Sequence, residues 1–431
     1  MRDSGFRNLT FREVKMEQKQ AKSWEEHQEY LSERLSHIVK HAYENAPAIK
    51  NRLDAVGIKP DDIKTIKDLE RIPVLAKDEL VRLQNENPPF GGFLAVPIES
   101  LERIFLSPGP LFDAGIVKER AKMAAEIFSS VRLGKGDRVV NTFSYHFVPA
   151  GYWVDEAVRM MGGTVIPTGV GNTDLQIKVM HDLGVTGYTG TPSFLNIIIK
   201  RAEELDYNFR RDFKLRFAIL TAEMLPPSLR RSFEDDYGIK VVECYGTADV
   251  GLISYECDQK AGMHLVEDAI IEIVDPVTGK QLGSGEIGEV VVTTFDEAYT
   301  LIRLGTGDLS YFTDAPCKCG RISPRLVRIV GRVGDAVKIR AMFVHPNQVK
   351  QVMANFPQVT NFQLIVDRVQ QRDVTTLKLE VEEGANKEGL SQGIKKAFPE
   401  ICTVKADSIE FIPGGTLPAE RKIILDQRTW E

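Results

Sequence analysis

Apolar positions change their spacing along the chain, and the change marks out its parts. Residues 24 to 90 read as largely helical and charged, with "SWEEHQEYLSERLSHIVKHAYENAP" the clearest helix. Ser23 is placed to cap it, Glu26 completes a capping box, and Pro47 stands just past its end. From about residue 100, short apolar runs alternate with amphipathic stretches. Ile116, Met123, Ile127 and Val131 recur at helical spacing up to "LGKGD". "RVVNTF", "TVIPTG", "VTGYTGTP", "LRFAILTAE" and "KVVECYG" then read as strands, each separated from the next by a helical pattern. Such alternation predicts an α/β fold, with parallel strands covered by helices and ligands at the carboxyl ends of the strands.

Residues 264–330 are strand-rich, with turn residues between the runs, and predict a small β subdomain. After "GRVGD" comes "AVKIRAMFVHPNQVKQVMANFP", then strand-like "NFQLIVDRV" and "TLKLEVEE", a helix "GLSQGIKKAF" and a final strand "SIEFIP", together a small α+β unit. The expected division is therefore a large N-terminal domain, 1–334, and a small mobile C-terminal domain, 335–431. No internal repeat or low-complexity segment interrupts this order.

Composition narrows the functional classes. At 431 residues the chain holds two or three domains and at least one large core. A net charge of −6 gives no broad cationic field, which argues against sequence-independent nucleic-acid binding. The apolar runs are too short to span a bilayer, and the polar start lacks the apolar segment of a secretory signal, so a cytoplasmic enzyme is expected. Five cysteines, an odd number, argue against a disulfide framework.

Five stretches then occur in a telling order: "TAEML" (221–225), "ECYGTADVG" (243–251), "IRLGTGDL" (302–309), "GRVGDAVKIR" (331–340) and "GGTLPAERKIILD" (414–426). Together with "GIKPDDIKTIKDLERIPVLAKDEL" and "GGTVIPTGVGNT", this ordered set resembles the adenylate-forming superfamily, in its phenylacetate–CoA ligase branch. The resemblance runs from about residue 20 to the end. It implies an ATP-dependent, AMP-forming acyl–CoA ligase that takes a small aromatic or related carboxylic acid through an acyl-adenylate to a CoA thioester. It also suggests a homodimer.

Residue by residue, the resemblance assigns Asp249 to the Mg²⁺-associated carboxylate; being short, an Asp would reach the ion through one of the waters it retains. Asp308 matches the acceptor of both ribose hydroxyls, a task its two oxygens suit, and Arg332 the arginine of the ribose and phosphate region. Ala222, Glu223, Tyr245, Gly246 and Thr247 fall at nucleotide-binding positions, although Tyr245 reads equally as a core aromatic. Lys422 matches the catalytic lysine that bridges carboxylate and α-phosphate, where an ammonium neutralises developing charge. A solvated surface lysine is the alternative, and Arg421 beside it leaves the register open. Asp335 matches the hinge about which the C-terminal domain turns between half-reactions. Lys338, Arg340 and Ala341 fall on the CoA path. Ala341 replaces the usual Gly there, and a Cβ disfavours positive φ. Tyr145, His146 and Phe147 fall where the acyl pocket is lined.

Two features stand apart. Cys257 and His264, separated by "DQKAGM", together with Cys317 and Cys319 in "CKCG", offer three sulfurs and an imidazole, a common tetrahedral set for structural Zn²⁺. Free thiols and an unrelated histidine are the other reading. "FLSPGPLFDAG" (105–115) stands where relatives carry a Ser/Thr/Gly-rich phosphate loop, but it keeps only Ser107 and Gly109. Pro108 and Pro110 remove amide donors. These departures leave two further readings open: adenylation with a non-CoA acceptor, and a nucleotide- or acyl-binding descendant without turnover.

Overall fold

The computed structural model describes residues 23–107, 110–329, 331–333, 337–340, 342–344, 346–418 and 420–429. It opens with the helix Trp24–Asn45, whose cap is Ser23: the Oγ accepts from the Glu26 N–H at 3.2 Å. Leu31, Leu35, Ile38, Val39 and Ala42 form its buried stripe, and a second helix starts at Pro47, where the absent N–H costs nothing. The helix Lys77–Glu86 follows, and then a hairpin of β1 (Phe105–Ser107) and β2 (Leu111–Asp113).

The βα alternation builds one half of a nine-stranded sheet. β3 (Arg138–Asn141), β4 (Thr164–Pro167), β5 (Gly187–Gly190), β6 (Phe217–Leu220) and β7 (Lys240–Thr247) pair in parallel in the order β4-β3-β5-β6-β7. β5 and β6 are buried at every position, as strands covered on both faces must be. Because β4 lies outside β3 while β5 lies inside it, the strand order reverses beside β3, where a crevice opens at the carboxyl ends.

The strand-rich segment after 264 does not stay together. β8 (Gly251–Glu256) and β9 (Met263–Leu265), then β13 (Phe312–Thr313) and β14 (Arg325–Leu326), continue the large sheet as antiparallel strands beyond β7. β10 (Ala269–Val274), β11 (Gly288–Thr294) and β12 (Leu304–Ser310) form a separate antiparallel layer. That layer is fastened by a fully buried ion pair. Arg303 donates to Glu272 at 2.9 and 3.1 Å, and to the carbonyls of Ile72 and Gly279 at 2.6 and 2.7 Å. With the charge so fully paired, burying Arg303 is tolerated; removing either partner would leave a buried charge uncompensated.

The chain divides into two compact units between Gly331 and Arg332, the two residues of the short strand β15. In the second unit β16 (Val337–Ile339) and β17 (Met342–Val344) form a hairpin. β18 (Val359–Val369) and β19 (Arg372–Val381) are antiparallel, flanked in parallel by β21 (Ile424–Asp426) and β20 (Ser408–Ile412) respectively. Helix Lys387–Cys402 buries Leu390, Ile394, Phe398 and Cys402 at four-residue spacing, so Cys402 is a core filler. No helix among the described residues is long and apolar enough to cross a membrane.

Candidate active site and metal centre

The modified stretch at 105–115 holds the β1–β2 hairpin, with Ser107 paired opposite Leu111. Gly109 lies outside the described residues. Helix Lys77–Glu86 holds this hairpin from one side. The Gln84 amide accepts from the Phe112 N–H and donates to the Phe112 carbonyl, both at 2.8 Å. Lys77, in the first turn of the same helix, donates to Asp249 Oδ2 at 2.7 Å. Asp249 is 3% exposed, and Ser107 Oγ lies 3.4 Å from its other oxygen. The hairpin thus sits against the "YGTAD" carboxylate, with an ammonium between the helix and that carboxylate. Lys77 escapes a reading of the sequence because it is one of 55 Lys and Arg residues and lies 172 positions from its partner.

Asp249 lies in the sharp turn between β7 and β8. Gly246 is required there: a Cβ would come within 2.5 Å of the Gly251 carbonyl oxygen. Tyr245 is not merely a core aromatic, since its hydroxyl donates to Asp308 Oδ2 at 2.8 Å. That bond joins two of the five motifs. The "GTGDL" stretch of β12 is itself fastened to β11: Gly307 donates to Glu289 at 3.0 Å, Thr306 Oγ1 donates to the Val290 carbonyl, and the Asp308 N–H donates to Thr306 Oγ1. Thr247 Oγ1 is buried without a protein partner among the described residues, a polar atom suited to a bound ligand. Ala222 sits at φ +71°, a conformation costly for a residue with a Cβ. Beside it, Glu223 accepts from Ser193 Oγ at 2.9 Å, which fixes its carboxylate at the start of helix Pro192–Glu204.

A cleft of ≈ 300 Å³ opens beside the strand-order reversal. Tyr145 and His146 form one wall, and Pro167, Thr168, Gly169 and Val170 the other. The Tyr145 hydroxyl accepts from Asn141 at 2.8 Å and donates to Asp155 at 3.2 Å, while burial raises its pKa. Phe147 does not join this lining. It is 76% exposed, at φ +63°.

Cys257, His264, Cys317 and Cys319 converge, their ligand atoms all lying within 4.8 Å of one another. Cys257 follows β8, His264 is in β9, and the "CKC" pair precedes β14. The Cys257 and Cys317 sulfurs are 3.7 Å apart; a tetrahedron with metal–sulfur bonds of about 2.3 Å has edges of about 3.8 Å. His264 Nδ1 lies 3.1 Å from the Ser323 carbonyl. A carbonyl only accepts, so Nδ1 carries the proton, and the Nε2 lone pair lies 3.3 Å from Cys319 Sγ. Burial lowers the His264 pKa to about 4, leaving the neutral ring that ligates metals. The N–H groups of Gln259 and Arg321 donate to the Cys257 and Cys319 sulfurs at 3.4 and 3.5 Å. The donor set and its spacing fit a tetrahedral metal.

In the second unit Arg421 and Lys422 part company. Arg421 is turned inward, donating to the Phe362 carbonyl at 3.1 Å, to the Pro418 carbonyl at 3.2 Å, and to Asn361. Lys422 is exposed, with its carbonyl held by Gln363 at 2.8 Å. The "GGTLPAER" segment is tied down at several points. Arg340 is bound within its own unit, to the Asp373 carbonyl and to Asp407. Lys338 lies in β16, and Arg332 opens the unit. Asp335 and Ala341 lie outside the described residues.

Comparison with known proteins accounts for this arrangement. The family model described as AMP-binding enzyme matches residues 114–295, and that of the AMP-binding enzyme C-terminal domain matches 341–428. A phenylacetate-coenzyme A ligase of Thermus thermophilus is 32% identical over 370 residues, covering 81% of this chain and 80% of that one. Another, from Escherichia coli, is 31% identical, with 86% of each chain covered. Among solved structures, a 2-hydroxyisobutyryl-CoA ligase in complex with its acyl-adenylate and CoA superposes with a TM-score of 0.87 over 95% of this chain, at 22% identity. The chain belongs to the phenylacetate–CoA ligase branch of the adenylate-forming enzymes and is an AMP-forming acid–CoA ligase.

Proposed function

We propose that the acid is an aromatic or related carboxylate, activated as its acyl-adenylate in the first unit and handed to CoA with help from the second. The observation that carries this reading is the bond from Tyr245 to Asp308, which joins motifs 63 residues apart, beside the Lys77–Asp249 pair. Asp308 offers its carboxylate to the ribose hydroxyls, and Thr247 and Glu223 face the nucleotide. Asp249 is the residue that would hold Mg²⁺, whose charge, when bound, offsets that of the phosphates. Lys77, bound to Asp249, supplies a cation to the leaving pyrophosphate. Lys422, its side chain exposed while Arg421 serves the fold, meets the α-phosphate during adenylation. The cleft at Tyr145 and His146 receives the acyl group.

The four-ligand cluster is read as a structural zinc site, since four protein donors leave no open position for chemistry. About one zinc per chain is the result expected from elemental analysis, and a stoichiometry near zero would exclude it. For the reaction itself, labelled pyrophosphate should exchange into ATP when an aromatic acid is supplied, and added CoA should release a thioester. No exchange across a broad acid panel, with ATP still bound, would overturn the reading. Exchange without CoA-dependent thioester release would move the acceptor to another nucleophile.

A further inference from the structure

Lys422 is carried by a segment that the second unit holds at its base. Glu380, the next-to-last residue of β19, is 4% exposed, and its carboxylate faces the "GGTLP" turn. One oxygen accepts from the Gly415 N–H at 3.0 Å and the other from the Leu417 N–H at 2.6 Å. The Leu417 and Gly415 amides hold the Glu380 carboxyl below the ordinary carboxylate range. Gly415 is at φ +79°, which lets the turn present both amides to one carboxylate. Downstream, Arg421 reaches back to residues 361 and 362, and Gln363 holds the Lys422 carbonyl. From there the chain enters β21, paired with β18 from Leu364 and Ile424 onward. The turn that Glu380 holds thus precedes these anchors along the chain.

We propose that Glu380 is a positioning residue of the adenylation step: by gathering the Gly415 and Leu417 amides it fixes the segment that delivers Lys422. The proposal rests on the adenylation role given to Lys422 above. A misplacement of about 1 Å is enough to cost on the order of a hundredfold in rate, so a lost anchor at the base of the segment is felt at the ammonium. Gln is the discriminating substitution, because its amide keeps the volume but places a donor against a backbone donor.

The test uses the full chain. Glu380→Gln should slow acid-dependent pyrophosphate exchange by about tenfold to a hundredfold. Thioester formation from supplied acyl-adenylate and CoA should stay within about threefold of the parent, a retained activity that also reports an intact second unit. Combined with Lys422→Ala, it should add nothing to the loss that Lys422→Ala causes alone, since a residue acting through another is not additive with it. Limited trypsin digestion should cut after Arg421 and Lys422 faster in Glu380→Gln than in the parent. Unchanged exchange, equal loss in both half-reactions, an additive double variant, or unchanged trypsin cleavage would each overturn the proposal. Absence of exchange in the parent would instead strike the adenylation reading, and the trypsin measurement would still decide whether Glu380 holds the turn.

Discussion

Neighbouring residues of like charge do different work here, and their partners show which does what. Arg421 and Lys422 are both basic, but only Lys422 keeps its side chain outward. Lys422→Ala should reduce pyrophosphate exchange by about a hundredfold or more, the size of a lost charge-stabilising group, and spare the thioester step from supplied acyl-adenylate. Equal losses in the two assays would remove its role. Lys77 invites a different measurement. Its ammonium sits on Asp249, so on the proposal that this carboxylate holds Mg²⁺ the two compete for it. Lys77→Met should lower the Mg²⁺ concentration for half-maximal exchange while raising the KM for ATP; a raised Mg²⁺ requirement would contradict this. The motif residues were legible in the sequence because glycines and acids cluster around them in order. Lys77 was not, because its meaning comes from a fold that brings residues 77 and 249 together. Phe147 shows the reverse failure: its neighbours line the cleft, but its left-handed backbone leaves it largely in solvent.

At the scale of elements, hydrophobic period identified most strands and helices but not the sheets they would join. Parallel β3 to β7 announce themselves by the helices between them. β9, β13 and β14 are two or three residues long, and nothing local tells a subdomain strand from an edge strand of the main sheet. Near that antiparallel half, Arg230 donates to Glu243 and Glu256 at 2.9–3.1 Å, two carboxylates around one guanidinium. Burial, and then the Glu256 charge, raise the Glu243 pKa from 4.5 to about 7 against the pull of Arg230. Between those values the folded state keeps a proton that the unfolded chain has released. The contribution is therefore complete below about pH 4.5 and lost as pH rises through 7. Glu243→Gln should remove that component. Between pH 5 and pH 8 its Tm should fall less than the parent's, by on the order of 2 °C, and parallel profiles would refute the assignment.

Across the whole molecule, each unit has a core of its own: Leu364, Val366, Leu377, Ile394 and Phe398 serve the second, and none of them is shared with the first. The four-ligand cluster lies wholly in the first unit, closing β8, β9 and the approach to β14. A strong zinc chelator should therefore lower the calorimetric transition of the first unit and leave that of the second in place. A shift of both together, or of neither, would count against a structural metal confined to one unit.

Helix Lys77–Glu86 has a consequence that reaches past its ten residues. At about 1.5 Å per residue it is a rigid ruler of roughly 15 Å, with Gln84 bolted to the hairpin near one end and Lys77 to Asp249 at the other. Hairpin and carboxylate are thus spaced by one stiff object. Wear at the Gln84 end, remote from any phosphate, would be read at the other end as a change in how the enzyme handles its cation.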